Sequence, residues 1–407
     1  MSYITKQIEW VETVFAPLPD ANSTTIQILV KAGSIYEARE TNGLSHFLEH
    51  MFFKWGKKYT TPKAVAETID SFGGEFNAFT WNEYAWYYVK CAPEYSGKAM
   101  DVLGDMLVHS QFPKEEMERE KGVVIQEIAM YEDNPQRQVW TKQNERYYGD
   151  NSFGWPILGP ASNVESFTQE NLFQHKENLY AKDNLVVIVA WALPNQAELE
   201  SQIAELFWAL PEKKAGTTPS VPEYKPSTHE DHFVKDTQQN HLVIAAPWFS
   251  KHENERYAAK ILGKILWWGM SSRLFQRIRE QQGLCYYVGS THSDGRNDGN
   301  FLIYAGMDKA KRDQWLSSIY KEIAGIAAGD ITQEEFDMAL GNIRWSTQMW
   351  IETSDQLADF VWYQWLFKKN IVSLEDILKE YEKVTLDQVN WLGTKLMKDS
   401  LWAYWLQ

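Results

Sequence analysis

The chain has 407 residues, 44% of them hydrophobic and 23% charged, and its 40 basic and 55 acidic residues give a formal net charge of −15. That length exceeds one ordinary core and calls for two domains of about 200 residues, while the acidic balance argues against nucleic acid and leans weakly toward basic peptides, although solubility alone explains it better. No stretch reaches the apolar length of a membrane span, the N-terminus MSYITKQIEWVETVF lacks a charged head before an apolar run, and Cys91 and Cys285 lie in separate strand-like runs; a cytoplasmic protein with two buried free thiols and no membrane contact is expected.

Thr24 to Lys31 alternates polar and apolar residues as a strand with one buried face. A helix over Gly43 to Met51 follows, and on it His46 and His50 stand one turn apart with Glu49 on the same side. Two imidazoles beside an acid are metal-site chemistry, and the order His-x-x-Glu-His reverses the commoner zinc motif and is the inverzincin signature. The ordinary alternative is two helix histidines next to an unrelated acid, yet nine histidines and 55 acids in 407 residues give only about 0.03 chance matches. Thr61-Pro62 opens a second helix to about Phe72, and Gly73-Gly74 turns the chain into a hairpin of Glu75 to Thr80 and Tyr84 to Cys91.

Helices of about Tyr95 to Gln111 and Lys114 to Tyr131 come next, the second carrying Glu120 and Glu127 two turns apart on one face. A glutamate in an acid-rich helix is ordinarily solvated. Glu127, however, follows Val123, Val124 and Ile125, where a carboxylate is costly to desolvate unless a cation compensates it. It is the candidate third ligand that a catalytic zinc needs, with Glu120 as its support. Asn134 to Ser162 reads as helix and then loop, Gln169 to Tyr180 as helix, Asn184 to Trp191 as strand, and Pro211 to His232 as linker.

The second half repeats the first. Lys182-Asp183-x-Leu185 recurs as Lys398-Asp399-x-Leu401, Glu115-Glu116 as Glu334-Glu335 and Gly122 as Gly341, at offsets of 216 and 219. In that register Glu120 and Glu127 become Ala339 and Ser346, and the histidine helix becomes Lys260 to Trp268, so only the first copy can hold a metal. The expected fold is α+β, with two homologous domains, 1–212 and 233–407, joined by a linker over 213–232. Each is a mostly antiparallel sheet packed with helices, a duplicated αβ roll. The 19 Trp, 20 Tyr and 19 Phe are mostly core, with some available to line a peptide chamber.

These motifs resemble the pitrilysin/insulinase family of zinc metallopeptidases, in its two-domain branch with the mitochondrial processing peptidases and bacterial homologues. Seventy-six residues separate His50 from Glu127, which is the family's spacing, and Gly33-Ser34, Glu37, the run His46 to Lys54, Gly73-Gly74 and Asn77-Ala78 fall where the family has like residues. Trp55 departs from the usual glycine. The resemblance implies one zinc per chain on His46, His50 and Glu127, Glu49 as general base, and Glu120 as accessory acid. It also implies that the strand of Asn77 and Ala78 offers its edge to a peptide substrate, though by its residues alone an ordinary edge strand is an equal reading. Arg279 and Tyr286, seven apart in the second half, match the family's pair and suit an oxyanion; taken alone they read as an ion-paired arginine and a strand tyrosine. A two-domain member completes its site only by pairing, which implies a homodimer with composite sites. A non-catalytic structural or processing-partner subunit is the alternative, and a dedicated maturase is not distinguished from a general oligopeptidase.

Overall fold

The computed structural model of the protein describes residues 3–191, 196–215, 219–221, 229–295, 298–368, 370–398 and 401–406. In chain order the first half runs β1 (Ile4–Ile8), β2 (Val11–Pro17), β3 (Thr24–Val30), α1 (Leu44–Phe52), α2 (Pro62–Asp70), β4 (Glu75–Thr80), β5 (Ala85–Cys91), α3 (Ser96–Val108), α4 (Lys114–Asp133), α5 (Pro135–Tyr148), α6 (Ala161–Ser166), α7 (Gln169–Leu179), β6 (Leu185–Trp191) and α8 (Gln196–Phe207). The second half runs β7 (His229–Phe233), β8 (Asn240–Pro247), α9 (Arg256–Leu266), a π-helical stretch Leu274–Glu280, β9 (Tyr287–Asp294), β10 (Gly299–Met307), α10 (Arg312–Ala327), α11 (Gln333–Gln348), α12 (Ser354–Lys368), α13 (Leu374–Glu382), α14 (Leu386–Lys398) and β11 (Trp402–Leu406).

The strands form two sheets, ordered β1-β2-β6-β3-β5-β4 and β7-β11-β8-β10-β9. Apart from the extra β1, the two orders are the same, and in each the one parallel pair stands at the same place, β2 with β6 and β7 with β11. The duplication expected from the sequence is therefore written in the pairing as well. Both sheets with their helices make an α+β protein. Cys91 and Cys285 are free and buried, and no described helix is long and apolar enough to cross a membrane.

Two compact units emerge, and neither is a contiguous stretch. The first comprises Met1–Met130, Asp150–Ser220 and Trp350–Ile371; the second comprises Tyr131–Gly149, Val221–Met349 and Val372–Gln407. They differ from the contiguous segments 1–212 and 233–407 because each half lends one helix to the other's sheet. In the first unit Leu357, Val361 and Trp365 of α12 pack on Val14, Leu29, Val186 and Ile188. In the second, Val139 and Tyr147 of α5 pack on Val243, Ala245, Leu302 and Tyr404. Part of the expected linker, residues 216–218 and 222–228, lies outside the described residues, as does Asp399 of the repeated dipeptide.

The lent helix explains why β3 departs from its alternating pattern. One buried face is expected, yet all seven residues are buried, because α12 covers the face that carries the polar residues. Gln27 Nε2 donates to Asp359 Oδ1 at 2.8 Å, and the Thr25 hydroxyl lies 2.8 Å from Ser354 Oγ, so each of these two side chains keeps a partner under cover. Aromatic packing follows the same loan: Tyr84, just before β5, meets Trp362 of α12, their centroids 4.9 Å apart.

Candidate metal centre

Helix α1 is short and starts under constraint. Gly43, at its N-cap, has φ +100°, and a Cβ there would come within 2.4 Å of the Leu158 carbonyl oxygen, so only glycine fits. The buried Glu37 carboxylate accepts hydrogen bonds from the Gly43 and Ser45 backbone N–H groups at 2.8 and 2.7 Å and from Asn42 Nδ2 at 3.0 Å. These satisfy donors that a helix start leaves unpaired and place a negative charge at the favourable end of the dipole. Below the helix, Ser45 Oγ meets His175 Nε2 at 2.9 Å. Leu44, Phe47, Leu48 and Met51 are buried, which turns His46, Glu49 and His50 to the other side.

Helix α4 brings the third donor. Glu127 Oε2 lies 3.7 Å from His46 Nε2 and 3.5 Å from His50 Nε2, and one ligand atom from each residue lies within 4.8 Å of the others. A tetrahedral zinc with bonds of about 2.0–2.2 Å holds its ligand atoms roughly 3.3–3.5 Å apart, so the spacing fits. The donor set, two imidazole nitrogens and one carboxylate oxygen, is that of a catalytic zinc site with a fourth position open. Glu120 stands behind it: its Oε1 is 2.8 Å from His50 Nδ1, and its Oε2 is 2.7 Å from Lys54 Nζ. That contact orients the His50 ring so that Nε2 faces the centre and makes it a better donor. His46 has no such help, its buried Nδ1 lacking a hydrogen-bond partner among the described residues.

Electrostatics match the geometry. Burial and the neighbouring His50 push the His46 pKa down to about 4. Burial also disfavours a charged His50, but hydrogen bonds to Glu120 and Glu127 and the field of Glu49 outweigh it and raise the pKa to about 9. Three carboxylates around one imidazole thus call for a positive charge at the centre, which a divalent cation would supply in place of a proton. Burial raises the Glu49 carboxyl above its ordinary range, against the hydrogen bond from Thr80 that lowers it. A carboxylate tuned upward is suited to taking and returning a proton near neutral pH.

Asn77 and Ala78 lie on β4, the end strand of the first sheet, opposite Tyr88 and Tyr87 of β5. Two residues on, the Thr80 hydroxyl donates to Glu49 Oε2 at 2.6 Å, so this strand ends at the acid beside the centre. Arg279 and Tyr286 belong to the second unit. There they are neighbours: the Arg279 guanidinium lies 4.6 Å from the Phe275 ring and 5.9 Å from the Tyr286 ring, and Tyr286 is 74% exposed. The sequence reading picks out Glu37 and Lys54 only as flanking matches, and it misses Thr80. A threonine at a strand end has no spacing signal, so nothing in the sequence ties it to Glu49.

Comparisons with known proteins identify the family. Residues 13–161 match the family model described as insulinase (peptidase family M16), and residues 166–343 match the peptidase M16 inactive domain. The uncharacterized zinc protease YmxG of Bacillus subtilis is 33% identical over 389 residues, covering 96% of this chain and 94% of that protein. An uncharacterized zinc protease of Rickettsia bellii is 35% identical over 334 residues, covering 82% and 79%. In fold, the chain matches the crystal structure of a protease from Helicobacter pylori with a TM-score of 0.92 at 19% identity, over 100% of this chain and 99% of that one. With the sequence matched over nearly its whole length, the chain belongs to peptidase family M16, the insulinase family.

Proposed function

We propose that the protein is a zinc-dependent endopeptidase that hydrolyses unfolded or presequence-like peptide segments in the cytoplasm. The observation that carries this reading is the convergence of His46, His50 and Glu127 with Glu49 alongside. Zinc, when bound, supplies a Lewis acid that lowers the pKa of water toward about 7. Glu49 accepts the proton of the attacking water and returns it to the departing amine. Glu120 keeps the His50 ring oriented through Nδ1. The peptide backbone adds to the edge of β4 at Asn77 and Ala78, which selects extended chain rather than a particular side chain. Arg279 and Tyr286 donate to the carbonyl oxygen as charge develops on it. Because one chain carries both the ligands and this pair, we propose a homodimer with composite sites, zinc ligands from one protomer and Arg279 and Tyr286 from its partner.

Elemental analysis of the purified protein, together with cleavage of an unstructured peptide, tests the reading. One zinc per chain and cleavage abolished in Glu49→Gln are expected. A metal-free, inactive chain would make it a structural or processing-partner subunit instead. A gel-filtration fraction that is monomeric and fully active would refute the composite site while leaving the peptidase intact.

A further inference from the structure

We infer that Thr80 is the positioning residue that sets the Glu49 carboxylate for proton transfer and ties its orientation to the strand that receives the peptide. The inference rests on the endopeptidase reading above. Its basis is geometric. The Thr80 hydroxyl donates to Glu49 Oε2 at 2.6 Å. At that length an O–H to carboxylate bond is in the strong, charge-assisted class.

Both ends of this contact are anchored. Thr80 is the last residue of β4, paired with Ala85 of β5, and is 6% exposed. Glu49 follows Leu48, which is fully buried, on a helix whose start is fixed through Glu37. A glutamate otherwise has three side-chain torsions to lose, at a cost of up to about 2 kcal/mol in rotamer freedom. Thr80 removes that freedom before substrate arrives, and by engaging Oε2 it leaves Oε1 as the oxygen for the proton. Since Thr80 lies two residues from Ala78 on the same strand, a peptide added along β4 is placed in register with the base.

The contact predicts a division between turnover and binding. Thr80→Val keeps the branched shape and strand preference and removes only the hydroxyl. With a quenched fluorescent unstructured peptide as substrate, kcat should fall by about 10- to 100-fold, with KM, zinc content and thermal unfolding unchanged, and Thr80→Ser should recover most of the loss. Wild-type kcat in Thr80→Val, or a Thr80→Ser variant as slow as Thr80→Val, would overturn the inference. So would a kcat loss accompanied by loss of zinc or a lowered unfolding temperature, which would make Thr80 a structural residue. Full activity in Glu49→Gln itself would instead overturn the endopeptidase reading, so the two failures are distinguishable.

Discussion

Helices α4 and α11 hold the same place in two copies of one sheet order, and they show what a metal centre demands beyond the fold. Glu120 of α4 and its counterpart Ala339 of α11 are equally buried, each 6% exposed. Burial at that position therefore comes with the scaffold, and the carboxylate does not. Burying an acid is costly unless it is paired. In the first copy His50 and Lys54 pair it at 2.8 and 2.7 Å; in the second, alanine stands there and leaves no charge to pair. Glu127 likewise becomes Ser346, whose hydroxyl bonds back to the Ile343 carbonyl within its own helix. On α4 the buried acid is matched by an imidazole and an ammonium, and where the sequence drops those partners it drops the acid as well.

The largest expected effect comes from erasing the difference on α4. Glu127→Ala should lose bound zinc and reduce hydrolysis by more than the ~100-fold that an outer partner costs, measured by elemental analysis and peptide cleavage; retained zinc would mean the copies do not differ in the way described. Next is acid stability, which should distinguish the copies because the residue 216 positions beyond His175 is Trp391. Burial lowers the His175 pKa from 6.5 to about 4. The unfolded chain therefore takes up this proton first, so the contribution is complete above pH 6.5 and is lost as pH falls toward 4, to a total of about 3 kcal/mol. Urea unfolding at pH 7 and pH 5 should show it, and His175→Asn should flatten that slope.

A smaller effect is expected from Glu120→Gln, which keeps the shape but weakens the contacts to His50 and Lys54: zinc affinity should fall about 10- to 100-fold in a chelator competition. The smallest is Asp355→Asn on α12, which removes the 2.8 Å ion pair with Lys90 at the partly exposed end of the lent helix. Its cost should stay below about 1 kcal/mol by denaturant unfolding. A larger loss would mean that α12 is held by its charges rather than by Leu357, Val361 and Trp365.

How much of this was legible depends on the range of the interaction. His46, Glu49 and His50 are readable because a helix fixes which residues share a face, and Glu127 stands out as an acid in an apolar turn. The duplicated pattern exposes the fold and the missing ligands of the second copy. Thr80 is silent, since its partner comes from another element and no periodicity links them. The lent helices are silent for the same reason: α5 and α12 read as helices, and nothing local says which sheet they cover. Even the all-buried β3 reads as half-buried until α12 is known to lie over Gln27 and Thr25.

That reciprocal loan has a consequence for any cut in the chain. A fragment ending between the halves would keep the first sheet and lose α12, the helix whose Leu357, Val361 and Trp365 cover it, and the remaining fragment would lose α5 from the second sheet; each would then expose an apolar sheet face to water.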